Sequence, residues 1–252
     1  MRTLLVDIGN SRVKWALLED GRLGEQQAAA HAGWTPDDWR RALFARRGID
    51  RVLAATVAGA GGADALRAAA LLETGTEATF VTTTREAAGV CNGYQDAGLL
   101  GVDRWLAVIA AHRLVPGACC VVDVGTAATI DAVRADGQHL GGFIVPGPDL
   151  MMRSLWGGTS DLATRTAGSG ARAAGLFADN TRDAIERGCR LAVAALIERC
   201  LDELARALPG PPVLLLTGGA AGHVSPYLRE PGRLVPDLVL QGLSVVSAVP
   251  AV

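Results

Sequence analysis

Leu4-Leu5-Val6-Asp7-Ile8-Gly9-Asn10 and Cys120-Val121-Val122-Asp123-Val124-Gly125-Thr126 repeat one order of apolar, acidic and glycine positions, with Asp123 lying 116 residues after Asp7. Each reads as a buried strand that ends in a carboxylate and then a glycine. A carboxylate at the end of a buried strand is costly unless its charge is used, and the glycine lets backbone N–H groups approach a phosphate closely. Two such turns facing one another would clamp the phosphates of a nucleotide from both sides. Asp-x-Gly is also a common turn signal, so the repeat taken alone admits a purely structural reading.

Outward from the first copy, residues 3–8 and 12–18 read as a β-hairpin and 51–57 as a further strand. Thr35-Pro36-Asp37-Asp38 carries helix-start chemistry, 63–72 has alanine-rich helical composition, and a helix from about 103 to 114 is stopped by Pro116-Gly117. The pattern then restarts with strands at 119–124 and 129–134, and Gly137 and Gly141-Gly142 punctuate the strands that follow. A Gly- and Thr-rich stretch at 157–170 leads to a long helix over 181–208 and a strand at 213–216. That strand runs into Thr217-Gly218-Gly219-Ala220-Ala221, where small residues permit close approach by a flat adenine and its ribose. The repeat divides the chain at 1–116 and 117–252.

Half of the 252 residues are hydrophobic, enough for a substantial core, and 24 basic against 26 acidic residues leave a formal charge of -2. Such a balance offers no polycationic face to nucleic acid or an anionic membrane and favours a small-molecule partner. Asp7 interrupts any N-terminal signal segment, so a cytoplasmic protein is expected. Five cysteines without CxxC spacing read as reduced core residues, and the four histidines show no metal-binding spacing and receive no role. Gly59-Ala60-Gly61 lacks the third glycine of a dinucleotide fingerprint, and there is no P-loop or nucleophile elbow.

Phosphoryl transfer needs a positioned acceptor, charge neutralisation around the phosphates and often a carboxylate to take the acceptor's proton. Gly101-Val102-Asp103-Arg104 supplies such parts: a helix start favours ionised Asp103, and the planar fork of Arg104 suits an anionic group. An acidic helix start beside a solvated arginine reads equally from these four residues. Asn180 can cap the long helix and Thr181 can present a hydroxyl to an anion. Tyr94, in Asn92-Gly93-Tyr94, could cover a substrate or simply pack. Lys14 is the one lysine among 24 basic residues and lies just beyond the first phosphate turn, as a phosphate ligand or a surface residue.

In this order, with Gly-Gly-Phe-Ile-Val-Pro-Gly at 141–147, the motifs resemble the type III pantothenate kinases. The resemblance implies the actin-like ATPase superfamily: α/β, with two similar RNase H-like domains, each a mixed five-stranded sheet flanked by helices. It implies ATP-dependent phosphorylation of pantothenate on its primary hydroxyl, the first step of coenzyme A biosynthesis. By that pattern Asp103 is the general base, and Tyr94, Gly101, Val102, Asp103, Arg104 and Thr181 form the pantothenate site. Asp7, Ile8, Gly9, Asn10, Ser11, Arg12, Val13, Lys14 and Thr126 would serve ATP, with Ser11 keeping the hydroxyl of the family's usual threonine. Asp123 would hold a monovalent cation, K+ or NH4+, while Mg2+ arrives with ATP, and the enzyme would be a homodimer. Another small-acceptor kinase or a non-catalytic regulator are the alternatives. Keeping all three of Asp7, Asp103 and Asp123 favours catalysis.

Overall fold

A computed structural model describes residues 1–45, 48–157 and 176–248, and contacts between Cα atoms divide it into two units. In the first, β1 (Arg2–Ile8) pairs antiparallel with β2 (Arg12–Glu19) around the expected hairpin. The short strands β3 (Arg22–Leu23) and β4 (Gln27–Ala30) both add to β2, at its two ends. After α1 (Pro36–Leu43), β5 (Arg51–Thr56) pairs parallel with β1. After α2 (Ala60–Thr74), β6 (Thr79–Phe80) pairs parallel with β5. The resulting order is β3-β2-β1-β5-β6, five strands with β4 as a sixth beside the path. A separate two-stranded ribbon, β7 (Glu86–Ala87) with β8 (Val90–Cys91), precedes α3 (Val102–Leu114).

The local chemistry explains these elements. Thr35 and Asp38 form a reciprocal capping box, with Asp38 N donating to Thr35 Oγ1 at 3.3 Å and Thr35 N to Asp38 Oδ2 at 2.9 Å. The Thr35 hydroxyl, donating to Asp38 Oδ2 at 2.6 Å, and then the Thr35 backbone N–H hold the Asp38 carboxyl below the usual carboxylate range. The α2 helix starts three residues earlier than the expected 63, taking in Gly61 and Gly62. A Cβ on Gly62 would stand 3.3 Å from Ile8 Cγ2 and 3.7 Å from Trp39, so its lack of a side chain brings the first helical turn against the sheet. Leu4, Val6 and Ile8 face a core with Trp39, Leu43, Val52 and Leu66, while Leu5 on the opposite face is equally buried. A strand covered on both sides reads as an unbroken apolar run rather than an alternating one.

The second unit holds β9 (Cys119–Val124), β10 (Ala127–Val133) up to Ala132, β11 (His139–Pro146) from Gly142 onward and α4 (Pro148–Gly157). It continues with α5 (Thr181–Ala207), β12 (Val213–Thr217), the short α6 (Ala221–Val224) and β13 (Arg233–Leu234). Its sheet has the order β11-β10-β9-β12-β13, with β9, β12 and β13 mutually parallel. The β11 strand runs straight through Gly141-Gly142, where punctuation was expected, with Gly141 at a φ of 97°. Most of the Gly- and Thr-rich stretch expected at 157–170 lies outside the described residues.

The chain then rejoins the first unit. Contacts group Val133–Gly141 and the described residues from Asp237 to Ala248 with the first unit. Its last helix, α7 (Leu238–Ser247), lies along α3 and reaches β1, β2 and β5. Residues Arg104 to Ala111 of α3 are all buried, which is why that helix shows no polar face. Among the described residues no helix is long and apolar enough to cross a membrane. All five cysteines are free and four are buried, Cys91 being half-buried; burial pushes the Cys119 thiol up to about 11.

The contact between α3 and α7 depends on Gly242, where a Cβ would fall 2.1 Å from the Leu106 carbonyl oxygen. Gly242→Ala should force the helices apart and cost about 1–3 kcal/mol, the usual range for overpacking, measured by urea unfolding. An unchanged midpoint would show that the helices accommodate the methyl group.

Candidate active site

The parallel pairing of β1 with β5 sets Ile8 beside Thr56, so both strands deliver their carboxyl ends to one edge of the first sheet. Ligands of open α/β sheets bind beyond such ends. Asp7 stands there, 6% exposed, with Lys14 directly opposite it on β2 and Lys14 Nζ 4.0 Å from Asp7 Oδ2. The connecting turn is closed by Gly9 N donating to Arg12 O at 3.0 Å. Asn10, Ser11 and Arg12 are exposed on it, while Ile8 and Val13 point into the core. Those two can offer a ligand only their backbone. His31, which the sequence left without a role, bonds through Nε2 to the Gly9 carbonyl at 2.8 Å and tilts against Trp39.

The Gly101–Arg104 segment arrives near the same edge. A Cβ on Gly101 would lie 4.0 Å from Val57 Cγ1, just past β5, and 2.7 Å from Asp103 Oδ1. The glycine therefore makes room for the Asp103 carboxylate to fold back over the helix start, where Oδ1 accepts the Arg104 backbone N–H at 2.8 Å. In the first turn of α3 the helix dipole favours the charged carboxylate. Arg104 is not a solvated arginine: it is 5% exposed, and its Nη1 donates to the Tyr94 hydroxyl at 2.8 Å. Tyr94 stacks on buried His139, with ring centroids 6.1 Å apart and an interplanar angle of 14°. Asp103, Arg104 and Tyr94 thus form one cluster, with His139 a member that no motif announced.

In the second unit Asp123 ends β9 in register with Thr217 at the end of β12. Gly218 follows at a φ of 91°, and a Cβ there would stand 2.3 Å from Asp123 Oδ1 and 2.5 Å from the Val124 carbonyl oxygen. Only glycine fits that cradle. A carboxylate oxygen beside carbonyl oxygen is the donor chemistry of a hard cation, and the Asp123 side chain is half-buried. Thr126 is exposed on the β9–β10 turn, where Gly125 N donates to Ala127 O at 2.9 Å and the Thr126 carbonyl accepts Gly147 N at 2.9 Å. Asn180 caps α5 by accepting Asp183 N at 2.9 Å, which leaves Thr181 half-buried in the first turn.

A cavity of about 760 Å³ opens between the first turns of α5 and the α6 segment after the Gly218-Gly219 turn. It is lined by Asp183, Arg187, Arg190, His223, Tyr227 and Leu228, none of them singled out from sequence, because helical spacing brings them together only across two elements. A concavity of about 850 Å³ in the first unit, lined by Asp37, Arg40 and Glu73, holds none of the site residues; Arg40 there is paired with both acids.

Comparison with known proteins identifies the family. The sequence model of the type III pantothenate kinases matches residues 3–203. A type III pantothenate kinase of Aromatoleum aromaticum is 41% identical over 247 residues, covering 97% of each chain. That of Alkalilimnicola ehrlichii is 40% identical over 242 residues, covering 96% of each. Among solved structures, the activator of 2-hydroxyisocaproyl-CoA dehydratase from Clostridium difficile superposes with a TM-score of 0.55 at 12% identity, over 98% of this chain and 93% of its own. At that identity the likeness speaks for the fold, which is that of the actin-like ATPases and sugar kinases.

Proposed function

Because this chain belongs to the type III pantothenate kinase family, we propose that Asp103 is the general base in its transfer of the ATP γ-phosphoryl group to the primary hydroxyl of pantothenate. The chain is an ATP-dependent pantothenate kinase of coenzyme A biosynthesis. The observation that carries the assignment is the Asp103 carboxylate, pinned to the first turn of α3 beside the Arg104–Tyr94 pair. The Arg104 guanidinium and Tyr94 hydroxyl supply donors for the polar groups of pantothenate, with Gly101 and Val102 as the adjoining backbone and Thr181 as a further hydroxyl. Taking the hydroxyl proton as the oxygen attacks phosphorus is worth about 10²- to 10⁴-fold in rate.

Residues 7–14, with Thr126, serve ATP. Lys14 beside Asp7 and the exposed backbone at Asn10 and Ser11 suit its phosphates, and the cavity at α5 and α6 has the size and mixed lining for adenosine. Mg2+ enters on the nucleotide, since it is commonly held by phosphates and one or two carboxylates. A K+ or NH4+ ion would be held at Asp123, beside the Val124 carbonyl oxygen. The chain acts in the cytoplasm, where ATP is supplied. The homodimer is part of the same reading: the edge strand β11 exposes Phe143 on one face of the sheet and Ile144 on the other, 56% and 62% exposed, apolar surface that a partner copy meeting this edge could cover.

In a coupled ADP-release assay pantothenate should be turned over in preference to sugars and acetate. Asp103→Asn should keep the fold and lose about 10²-fold or more of kcat. Unchanged turnover would remove Asp103 from the role of base. Replacing Na+ by K+ or NH4+ should raise the rate, and indifference to the cation would count against the Asp123 assignment. Analytical ultracentrifugation should give twice the 26.0 kDa chain mass; a monomer at micromolar concentration would refute the dimer.

A further inference from the structure

We infer that Arg85 is a positioning residue for pantothenate, acting through Tyr94; the inference rests on the reading of Tyr94 as a pantothenate contact. Arg85 lies nine positions before Tyr94, just ahead of β7, and its guanidinium gathers three carbonyls from one short loop. Its Nη1 donates to Asn92 O at 2.9 Å and to Tyr94 O at 2.6 Å, and its Nη2 donates to Gln95 O at 2.6 Å. Its own carbonyl accepts Asn92 N at 2.9 Å, so main chain and side chain both tie it to this loop. Three carbonyls turned to one side of a loop repel one another unless a cation sits among them. A planar fork of five donors meets all three at once, whereas an ammonium, a compact point charge, cannot match that spread.

The remainder of the loop is fixed by neutral contacts. Asn92, 1% exposed, accepts Tyr94 N at 3.0 Å and donates to the Thr84 and Ala97 carbonyls at 3.4 and 3.3 Å. Gly93 donates to His139 Nδ1 at 3.4 Å, and a Cβ on it would fall 2.1 Å from the His139 carbonyl oxygen. The ring of Tyr94 is therefore backed by His139 and met at its hydroxyl by Arg104. Arg85 is the charged group in this arrangement that holds the Tyr94 backbone, and it does so from the exposed side of the chain. Because small misplacements of a substrate-holding group weaken binding and turnover steeply, the clamp should be read out in pantothenate and not in ATP.

Steady-state kinetics on the full chain test this. Arg85→Ala should raise KM for pantothenate by about tenfold while leaving KM for ATP within about twofold, and Arg85→Lys should recover only part of the loss. In a Tyr94→Ala background the further substitution Arg85→Ala should change KM for pantothenate by less than about twofold, since the group it positions is gone. Equal effects on both substrates, or a full tenfold effect in the Tyr94→Ala background, would overturn the inference. If Arg85→Ala does not fold, the same split is measured on Arg85→Lys, and a lysine variant indistinguishable from wild type would overturn it as well. Tyr94→Ala that raises KM while Arg85→Ala does not would sink the inference alone; Tyr94→Ala without effect would sink the Tyr94 contact on which it rests.

Discussion

A carboxylate placed at the end of a strand that is buried on both faces is the constraint from which both units follow. Removing an ionised carboxyl from water is prohibitive unless other charges or donors replace the water. The first unit meets this by folding β2 straight back along β1, which sets Lys14 opposite Asp7. The second unit has the same strand, acid and glycine but a different neighbour, since Asp123 faces a cradle kept open by Gly218. One local sequence therefore produces two electrostatic settings: a paired acid in one unit and an acid beside carbonyl oxygen in the other.

The chemistry of the third acid depends on rigidity more than on charge. Asp103 sits on the first turn of a helix whose next two turns are buried all round, held between the sheet and α7. Sites built on packed helices hold geometry better than sites on loops, and here the one loop that contributes, around Tyr94, is braced by side chains on three sides. Burying Arg104 belongs to the same arrangement, because a guanidinium removed from water must bond to something, and the Tyr94 hydroxyl is part of what it meets.

The sequence made legible whatever is decided within a few residues. The Asp-x-Gly hairpins, the Thr35 capping box, the Asn180 cap and the limits of α3 to within one residue are local matters of turn and cap chemistry. Two-residue strands such as β3, β6, β7 and β13 were not legible, because their pairing is set by the strand alongside. The same holds in the site. Gly101-Val102-Asp103-Arg104 could be read, whereas the stacking of Tyr94 on His139, 45 positions further on, has no periodicity to betray it. The role of His31 on the Gly9 carbonyl was hidden for the same reason, as a lone histidine carries no pattern. The start of α2 at Ala60 rather than 63 was hidden likewise, since Gly62 fits a helix there only because of the sheet it packs against.

The return of α7 to the first unit also bears on how the protein is made. Synthesis runs from the N-terminus, so β1 to β6 and α3 leave the ribosome long before residues 238–247 exist. Until that helix arrives, the apolar surface of α3 around Leu106 stays uncovered, and the whole second unit must be translated in the interval. The second unit, from Ala118 to Pro236 apart from the Val133–Gly141 segment, has most of its partners in hand earlier. Although domains generally fold in the order of their synthesis, here the unit begun first is completed last, when α7 covers α3.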